Sequence, residues 1–216
     1  MQKQSSQSYV WWTLLLLLLV RTPIRAQENW PTYGHDPGST RHSPLRQINT
    51  ENVAHLTRAW TYHMAVTKIE PGTSAPPEGA GRGGRPRTSE ASPIVVDGVM
   101  YLPTPYNHVV ALVPETGKEL WSYEIEGANA STRGVEYWPG DGQSPASIFF
   151  GTTNGRLIAL NAKTGKPIPG FGSEGFVDMR VGIDNGFTSG AFSLSSPPKV
   201  FRNLVITGAR VQETPG

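Results

Sequence analysis

The hydrophobic pattern between residues 90 and 121 predicts a series of short strands. Apolar and largely β-branched runs cover residues 94–96, 99–102 and 109–113. Asp97-Gly98 separates the first two runs, and Asp-Gly is a favoured two-residue hairpin turn. Short apolar runs bounded by Gly and Pro are typical of strands. The pattern therefore predicts three strands that lead into a terminal tryptophan, Trp121.

The same pattern recurs along the chain. Ala111 begins Ala-Leu-Val-Pro-Glu-Thr-Gly, and Ala159, 48 residues later, begins Ala-Leu-Asn-Ala-Lys-Thr-Gly, with Phe171 near the place of Trp121. Residues 148–160 predict two strands around an Asn-Gly turn, and residues 196–208 match residues 92–104. A repeat of this length and strand content is typical of β-propeller blades. A β-sandwich with accidental Thr-Gly turns is the alternative.

The length of the repeat limits how much of a propeller the chain can hold. At about 48 residues per blade, the sequence accommodates a closing N-terminal strand, two blades and the start of a third, whereas closed propellers usually have four to eight. We therefore interpret residues 27–216 as the N-terminal part of an all-β propeller domain. The expectation is that this domain continues in a longer protein.

The segment before the first blade is rich in turns. A brief helix is predicted around residues 50–56 and a strand at residues 57–62. A strand in this position is typical of propellers that close by adding an N-terminal strand to their last blade, so Trp60 would belong to that blade. Residues 68–88 are rich in Gly, Pro and Arg and predict a solvated loop, with a partner-binding arm as the alternative.

Residues 1–26 have the pattern of a targeting segment. One lysine precedes an apolar run from Val10 to Val20, and Ala26 is suitable for cleavage. The run is short for a membrane span and of the right length for a signal peptide. The alternative is an uncleaved N-terminal anchor. The expectation is an exported or periplasmic protein with possible membrane attachment through this segment.

Charge and cysteine content restrict the possible partners. The net charge is +2, but three of the 19 basic residues lie in residues 1–26, which contain no acidic residue. The remainder is close to neutral, so we expect no nucleic-acid partner. Cysteine is absent, which leaves no disulfide and no thiolate metal site.

Four motifs resemble the pyrroloquinoline quinone (PQQ)-dependent dehydrogenases. They are the opening WPTYGHDPGSTRHSPLRQIN, the Ala-x-x-x-x-Thr-Gly-x-x-x-Trp blade ending, Glu-Ala-Ser-Pro, and Arg-Gly-Val-x-Tyr-Trp. The resemblance covers residues 29–216. It implies an eight-bladed quinoprotein that oxidises the hydroxyl of a sugar, polyol or alcohol by hydride transfer outside the cytoplasm. Electrons would pass to a quinone or a cytochrome.

The resemblance also implies roles for individual residues. Glu90, Arg133 and Ser195 match positions that contact PQQ in the family, and Glu213 matches a ligand of the bound Ca²⁺ (or Mg²⁺). An Arg can hold a carboxylate of this tricarboxylate cofactor through two parallel hydrogen bonds, and calcium prefers oxygen ligands. The family's general base is an Asp expected beyond Gly216, so residues 1–216 are expected to be inactive alone.

Two departures from the family pattern bear on the substrate. Many alcohol-oxidising relatives carry adjacent cysteines just before the cofactor Arg, where this chain has Gly127-Ala128-Asn129. Arg210 stands where relatives often have a small residue. Both features favour the glucose or polyol dehydrogenase branch. The alternative function is a cofactor-free propeller that acts as a binding or assembly scaffold in the cell envelope.

Overall fold

A computed structural model describes residues 28–64, 87–183 and 192–210. In these ranges the chain forms ten strands and one short 3-10 helix, Val53–His55. The strands are β1 (Ile94–Val96), β2 (Val99–Pro103), β3 (His108–Leu112), β4 (Glu119–Glu124), β5 (Glu136–Trp138), β6 (Ser147–Gly151), β7 (Arg156–Asn161), β8 (Phe176–Asp178), β9 (Lys199–Phe201) and β10 (Leu204–Ile206). The proposed targeting segment and most of the Gly/Pro/Arg-rich loop lie outside the described residues.

The strands form two four-stranded antiparallel sheets and a hairpin. The sheets have the orders β1-β2-β3-β4 and β5-β6-β7-β8, and β9 pairs with β10. The order within each sheet follows the chain, because each connection is short enough for the next strand to pair with the previous one. We refer to the sheets as blade 1 and blade 2. This arrangement confirms the predicted four-stranded repeat and the position of the third hairpin.

The first hairpin turn has the predicted geometry. Asp97 and Gly98 both have positive φ angles, 48° and 79°, which match the right-handed twist of the flanking strands. The turn sets the register in which Ile94 lies opposite Tyr101 and Val96 opposite Val99. As a result, Ile94, Val96 and Tyr101 lie on one face of the sheet, whereas Leu102 is buried on the opposite face.

The hydrophobic core lies between the faces of the two blades. Its fully buried members come from both sheets and from the loop before β5: Ile94, Val109, Ala111, Val135, Ile148, Phe150 and Leu160. Aromatic rings extend the contact, with Tyr101 stacked on Tyr137 at 6.4 Å between centroids and Tyr123 tilted against Phe150 at 6.3 Å. Burial of this apolar surface is the main force that holds one blade against the next.

A tryptophan contact repeats on the outer side of the blades. The Trp121 indole Nε1 donates a hydrogen bond of 2.9 Å to the Ala162 carbonyl and packs on Gly165 of the next blade. In the same way, Trp60 Nε1 donates a hydrogen bond of 2.9 Å to the Pro114 carbonyl, 48 residues before Ala162. Trp60 therefore occupies the position toward blade 1 that Trp121 occupies toward blade 2. This supports its assignment to the blade before blade 1.

Residues 57–62 form no strand with the described residues, and the prediction that they pair with the last blade of the propeller stays untested. The segment has the side-chain alternation of a strand, but a strand also requires backbone hydrogen bonds to a partner, and no described residue supplies that ladder. Side chains hold the segment instead, through Trp60 and through a hydrogen bond from the Tyr62 hydroxyl to Glu119. The helix predicted around residues 50–56 is present as the single 3-10 turn.

Phe171 does not take the structural place of Trp121. It lies in the turns that precede β8 and packs edge-on against Phe149, with ring centroids 5.3 Å apart. The Ile168 backbone N–H donates a hydrogen bond to the Ala159 carbonyl. The turns that contain Phe171 follow Ile168 and precede the outer strand of blade 2. The sequence alignment therefore matched a turn residue to a strand residue.

The N-terminal segment crosses the inner edge of blade 1. Trp30 and Val95 of β1 exchange two backbone hydrogen bonds, of 2.7 and 3.0 Å. The Asn29 side chain adds bonds to the Asp97 backbone N–H and carboxylate. These contacts cover the free edge of β1, which would otherwise present unpaired backbone groups.

Candidate functional site

The candidate residues lie just before the inner strand of each blade. Glu90 precedes β1, Arg133 precedes β5 and Ser195 precedes β9. Strand β5 contacts both β1 and β9, so the three preceding segments converge on the same region. Glu213 lies outside the described residues, and its predicted role as a metal ligand is therefore untested.

The structure brings Glu90 and Arg133 together. Arg133 Nε lies 3.8 Å from Glu90 Oε2, and the Ser92 backbone N–H donates a hydrogen bond of 3.0 Å to the Arg133 carbonyl. The Glu90 side chain is 66% exposed and the Arg133 side chain 54%. An ion pair this exposed contributes little to stability. Among the described residues, none accepts a hydrogen bond from the Arg133 guanidinium. Its donors are therefore available to an anionic ligand.

Gly134 marks the closest approach of the converging segments. Its φ is +152°, and a Cβ built at this position would lie 3.2 Å from the Ser92 carbonyl oxygen, 3.4 Å from Pro197 and 3.7 Å from Tyr33. Blade 1, the third hairpin and the N-terminal segment thus all contact the residue next to Arg133. A side chain here would strain the backbone and push these segments apart.

Internal hydrogen bonds hold the loop that carries Arg133. Ser131 is buried, and its hydroxyl donates a bond of 2.8 Å to the Gly134 carbonyl. The Ser131 backbone N–H donates a second bond, also of 2.8 Å, to the carbonyl of Gly151 at the end of β6. The loop is therefore fixed both internally and to blade 2, which limits the positions that Arg133 can reach.

Asn129 links the two blades where the family's adjacent cysteines would lie. Its side-chain oxygen accepts hydrogen bonds from the Asn107 backbone N–H at 3.0 Å and from Arg87 at 3.3 Å. Its backbone N–H donates to the Thr153 hydroxyl at 3.1 Å. Asn107 belongs to blade 1 and Thr153 to blade 2, so hydrogen bonds join the blades at this point. No sequence pattern signals this role of Asn129.

Ser195 lies in a segment anchored beside the Arg133 loop. The neighbouring Leu194 is buried, and its backbone N–H donates a hydrogen bond of 3.0 Å to the Thr152 carbonyl. Ser193 exchanges two backbone hydrogen bonds with Arg210, of 3.1 and 2.7 Å. Ser195 itself is half-buried and makes no hydrogen bond to Glu90 or Arg133. The structure thus places it in the same region without a direct contact.

A buried carboxylate, Glu136, lies three residues after Arg133. Its Oε2 accepts a hydrogen bond of 2.7 Å from the Thr32 hydroxyl and lies 3.5 Å from Lys199 Nζ. Lys199 also donates a hydrogen bond to Thr32. Burial raises the pKa of Glu136, while the Thr32 hydrogen bond and the Lys199 charge oppose that rise. The sequence signal for Glu136 is a charged residue between the apolar Val135 and Tyr137, at the start of the inner strand β5.

The described ranges contain neither a cluster of metal-ligating side chains nor a membrane-spanning helix. No group of three or more His, Cys, Asp or Glu side chains within residues 28–64, 87–183 and 192–210 is arranged to hold a metal ion. The same ranges contain no helix with the length and apolar character that crossing a membrane requires.

Comparison with known proteins identifies the family. Residues 30–215 match the family model described as PQQ: glucose/ethanol/alcohol dehydrogenase, beta-propeller domain. The chain is 36% identical to the 1-butanol dehydrogenase (cytochrome c) of Thauera butanivorans and 32% identical to the quinohemoprotein alcohol dehydrogenase of Comamonas testosteroni. Each match covers 90% of this chain and 24% of the relative.

A solved structure gives the same result. The crystal structure of quinohemoprotein alcohol dehydrogenase from Comamonas testosteroni matches with a TM-score of 0.62 and 30% identity, over 87% of this chain and 24% of that one. The chain thus spans about a quarter of the length of the relatives it matches. The predicted propeller fold and the family resemblance are confirmed. The chain belongs to the PQQ-dependent dehydrogenase β-propeller family.

Proposed function

We propose that the protein containing this chain is a PQQ-dependent dehydrogenase that oxidises the hydroxyl of a sugar, polyol or alcohol outside the cytoplasm. The proposal rests on one observation, the juxtaposition of Glu90 and Arg133 at the inner ends of two adjacent blades. A scaffold without cofactor would need the blade contacts but not an exposed, weakly paired guanidinium at this position.

The chemistry of the site fits PQQ. The cofactor is a tricarboxylate, and a guanidinium forms paired charge-assisted hydrogen bonds with carboxylates. Arg133 is half-exposed, and within the described part of the chain its only charged neighbour is Glu90 at 3.8 Å. A ligand carboxylate can therefore bind Arg133 without breaking a strong internal bond.

Each residue of the site then has a specific task. Arg133 binds a cofactor carboxylate, Glu90 orients the guanidinium from the opposite side, and the Ser195 hydroxyl supplies a further hydrogen bond. Gly134 lets the three segments approach closely enough for these groups to act together. Arg133, Glu90 and Ser195 would hold and orient PQQ, which would supply the hydride-accepting chemistry.

The metal and the general base belong to parts of the protein that the structure does not describe. Glu213 is the candidate ligand for Ca²⁺ or Mg²⁺, and carboxylate oxygens suit these cations. No residue of the chain matches the family's catalytic Asp. We accordingly expect residues 1–216 alone to be inactive and to retain no PQQ.

The relatives indicate a range of substrates and acceptors. Their names include 1-butanol dehydrogenase (cytochrome c), quinoprotein glucose dehydrogenase A and quinate/shikimate dehydrogenase (quinone). These names support a small hydroxyl compound as substrate and a cytochrome or quinone as acceptor. The absence of cysteine and the presence of Arg210 favour a sugar or polyol within that range. Export, with a cleaved signal or an N-terminal anchor, remains part of the proposal.

The test is PQQ titration of the protein expressed from the complete coding sequence that contains this chain. Arg133→Met should raise the PQQ dissociation constant roughly 10- to 100-fold, because a hydrogen bond to a charged group contributes about 1.5–3 kcal/mol. Arg180→Met is the matched control: Arg180 is similarly exposed and pairs with Asp178, but it lies two residues beyond the outer strand β8. It should leave the dissociation constant unchanged.

Two results would contradict the proposal. If the wild-type protein binds no PQQ in the presence of calcium, the dehydrogenase function is excluded and a scaffold is favoured. Equal effects of the two substitutions would remove Arg133 from the cofactor site. If the wild-type protein binds PQQ, a dye-linked assay of the oxidation rates of glucose, glycerol, ethanol and 1-butanol ranks the substrate classes.

A further inference from the structure

Glu136 joins three segments that are far apart in the sequence. It begins β5, and its carboxylate is paired with Thr32 of the N-terminal segment and Lys199 of β9. The carboxylate is only 7% exposed, so these partners replace the water that it loses on folding. One buried group thus connects blade 2 to the third hairpin and the N-terminal segment.

The same segments meet again beside the candidate cofactor residues. Gly134 contacts Tyr33, the neighbour of Thr32, and Pro197, two residues before Lys199. Val135, which is fully buried, is the only residue between Gly134 and Glu136. The polar contacts of Glu136 and the close packing at Gly134 are therefore two layers of one junction. Arg133 and Ser195 lie immediately beyond it.

Stability alone does not account for a carboxylate in this junction. A buried ion pair contributes little net stability, because desolvation offsets most of the attraction, and an apolar side chain would pack here at lower cost. Directional hydrogen bonds, in contrast, fix the relative position of the groups they join. Glu136 accepts such a bond from Thr32 and forms an ion pair with Lys199, which itself donates a hydrogen bond to Thr32. Thr32 and Lys199 lie within two residues of Tyr33 and Pro197, the neighbours of Gly134.

We infer that Glu136 is a positioning residue that, with Thr32 and Lys199, sets the distance between Arg133 and Ser195 and so shapes the PQQ site without touching the cofactor. The inference rests on the proposed function. Glu136 acts through the backbone of residues 133–136, and Thr32 and Lys199 fix the two segments that face it. Loss of the network should loosen the site while the blades stay folded.

The test compares PQQ affinity with thermal stability in the protein expressed from the complete coding sequence. Glu136→Gln keeps an acceptor for Thr32 but removes the charge that holds Lys199, which at 43% exposure can be hydrated instead. We expect the PQQ dissociation constant to rise about 10-fold, the lower end of the effect of losing an outer-shell partner. The midpoint of unfolding without cofactor should not fall. Asp178→Asn, at an ion pair on the outer strand, is the control: it should lower the midpoint of unfolding but leave the PQQ dissociation constant unchanged.

A second pair of variants tests the geometry without altering charge. Thr32→Val removes the hydroxyl donor at nearly constant volume, whereas Thr32→Ser keeps it. We expect the valine variant to weaken PQQ binding and the serine variant to restore it. A purely structural role would instead move affinity and thermal stability together in all variants. This pair decides the question even if Glu136→Gln does not fold.

The outcomes separate the inference from the function on which it rests. If the wild-type protein and Asp178→Asn bind PQQ and both Glu136→Gln and Thr32→Val bind it equally well, the positioning role is excluded and the dehydrogenase function stands. If the wild-type protein binds no PQQ, the proposed function is excluded, and the inference with it.

Discussion

The outer and inner sides of the blades follow the repeat to different degrees. On the outer side, Trp60 and Trp121 make the same hydrogen bond, at the same 2.9 Å, to carbonyls 48 residues apart. On the inner side, the positions before β1, β5 and β9 carry Glu90, Arg133 and Ser195, which share no chemistry. The two outer contacts therefore use the same residue type and the same bond, whereas each inner position carries a different functional group.

This difference separates the residues that build the propeller from those that carry its function. A contact that joins one blade to the next can use the same residues in successive repeats. A binding site on the axis is approached once by each blade, so each blade can contribute a different group. Departures from the repeat on the inner side are consequently the best sequence signal for the site. Glu136, a charged residue in the first position of an inner strand, is such a departure.

The largest expected effect comes from blocking an outer contact. Gly165 has a φ of +69°, and a Cβ there would lie 2.6 Å from the Trp121 ring. Gly165→Ala should therefore lower the free energy of unfolding by about 3 kcal/mol, through left-handed backbone strain and overpacking. Urea denaturation followed by tryptophan fluorescence measures the loss.

Gly142→Ala is the control for backbone strain alone. Gly142 has a φ of +88°, but no atom lies within 4 Å of the position of its Cβ. Its substitution should cost only about 1 kcal/mol. Equal losses at Gly142 and Gly165 would mean that the tryptophan contact does not limit the space at Gly165.

A smaller effect is expected from removing the indole donors. Trp121→Phe leaves the carbonyl of Ala162, a buried residue, without its donor and should cost about 1–3 kcal/mol. Trp60→Phe removes the equivalent bond to Pro114, which is only partly buried, so water can replace the indole and the loss should be smaller. Chemical denaturation of the two variants gives the order. A larger loss at Trp60 would contradict the argument from burial.

Much of the fold was predictable because local chemistry determines it. The Asp97-Gly98 turn fixes one hairpin, and apolar runs of strand length fix the next strands. The pairing of residues 57–62 was not predictable in the same way, because side-chain alternation indicates an extended segment but does not identify its partner strand. Phe171 was misplaced because an insertion of turns shifts the alignment without disturbing the repeat around Ala159.

The candidate site was predictable only where a motif identified it. Glu90 and Arg133 stand in recognisable motifs, and the structure brings them to 3.8 Å. Thr32 lies in a turn-rich segment without periodicity, 104 residues from Glu136, so no local pattern could connect the two. Contacts of this kind arise when the chain crosses the inner strands, and they become visible only in three dimensions.

The smallest predicted effect contrasts the titration of an inner and an outer carboxylate. Burial raises the pKa of Glu136 above 4.5, so the folded protein holds a proton that the unfolded chain has released, and stability falls as pH rises from 4.5 through the raised pKa. The Arg180 hydrogen bond lowers the pKa of Asp178 from 3.8 to about 2, so its stabilisation is complete above 3.8 and is lost as pH falls toward 2.

Melting curves of three proteins across this pH range test the contrast. As pH rises above 4.5, the melting temperature of the wild-type protein should fall relative to Glu136→Gln, which lacks the titrating group. The melting temperature of the wild type should exceed that of Asp178→Asn by a constant amount at those pH values. This excess should disappear only as the pH falls below 3.8. Parallel curves for the wild type and Glu136→Gln above pH 4.5 would mean that Glu136 titrates as it does in the unfolded chain. Its burial in the junction would then carry no electrostatic cost, because its partners would fully replace the lost water.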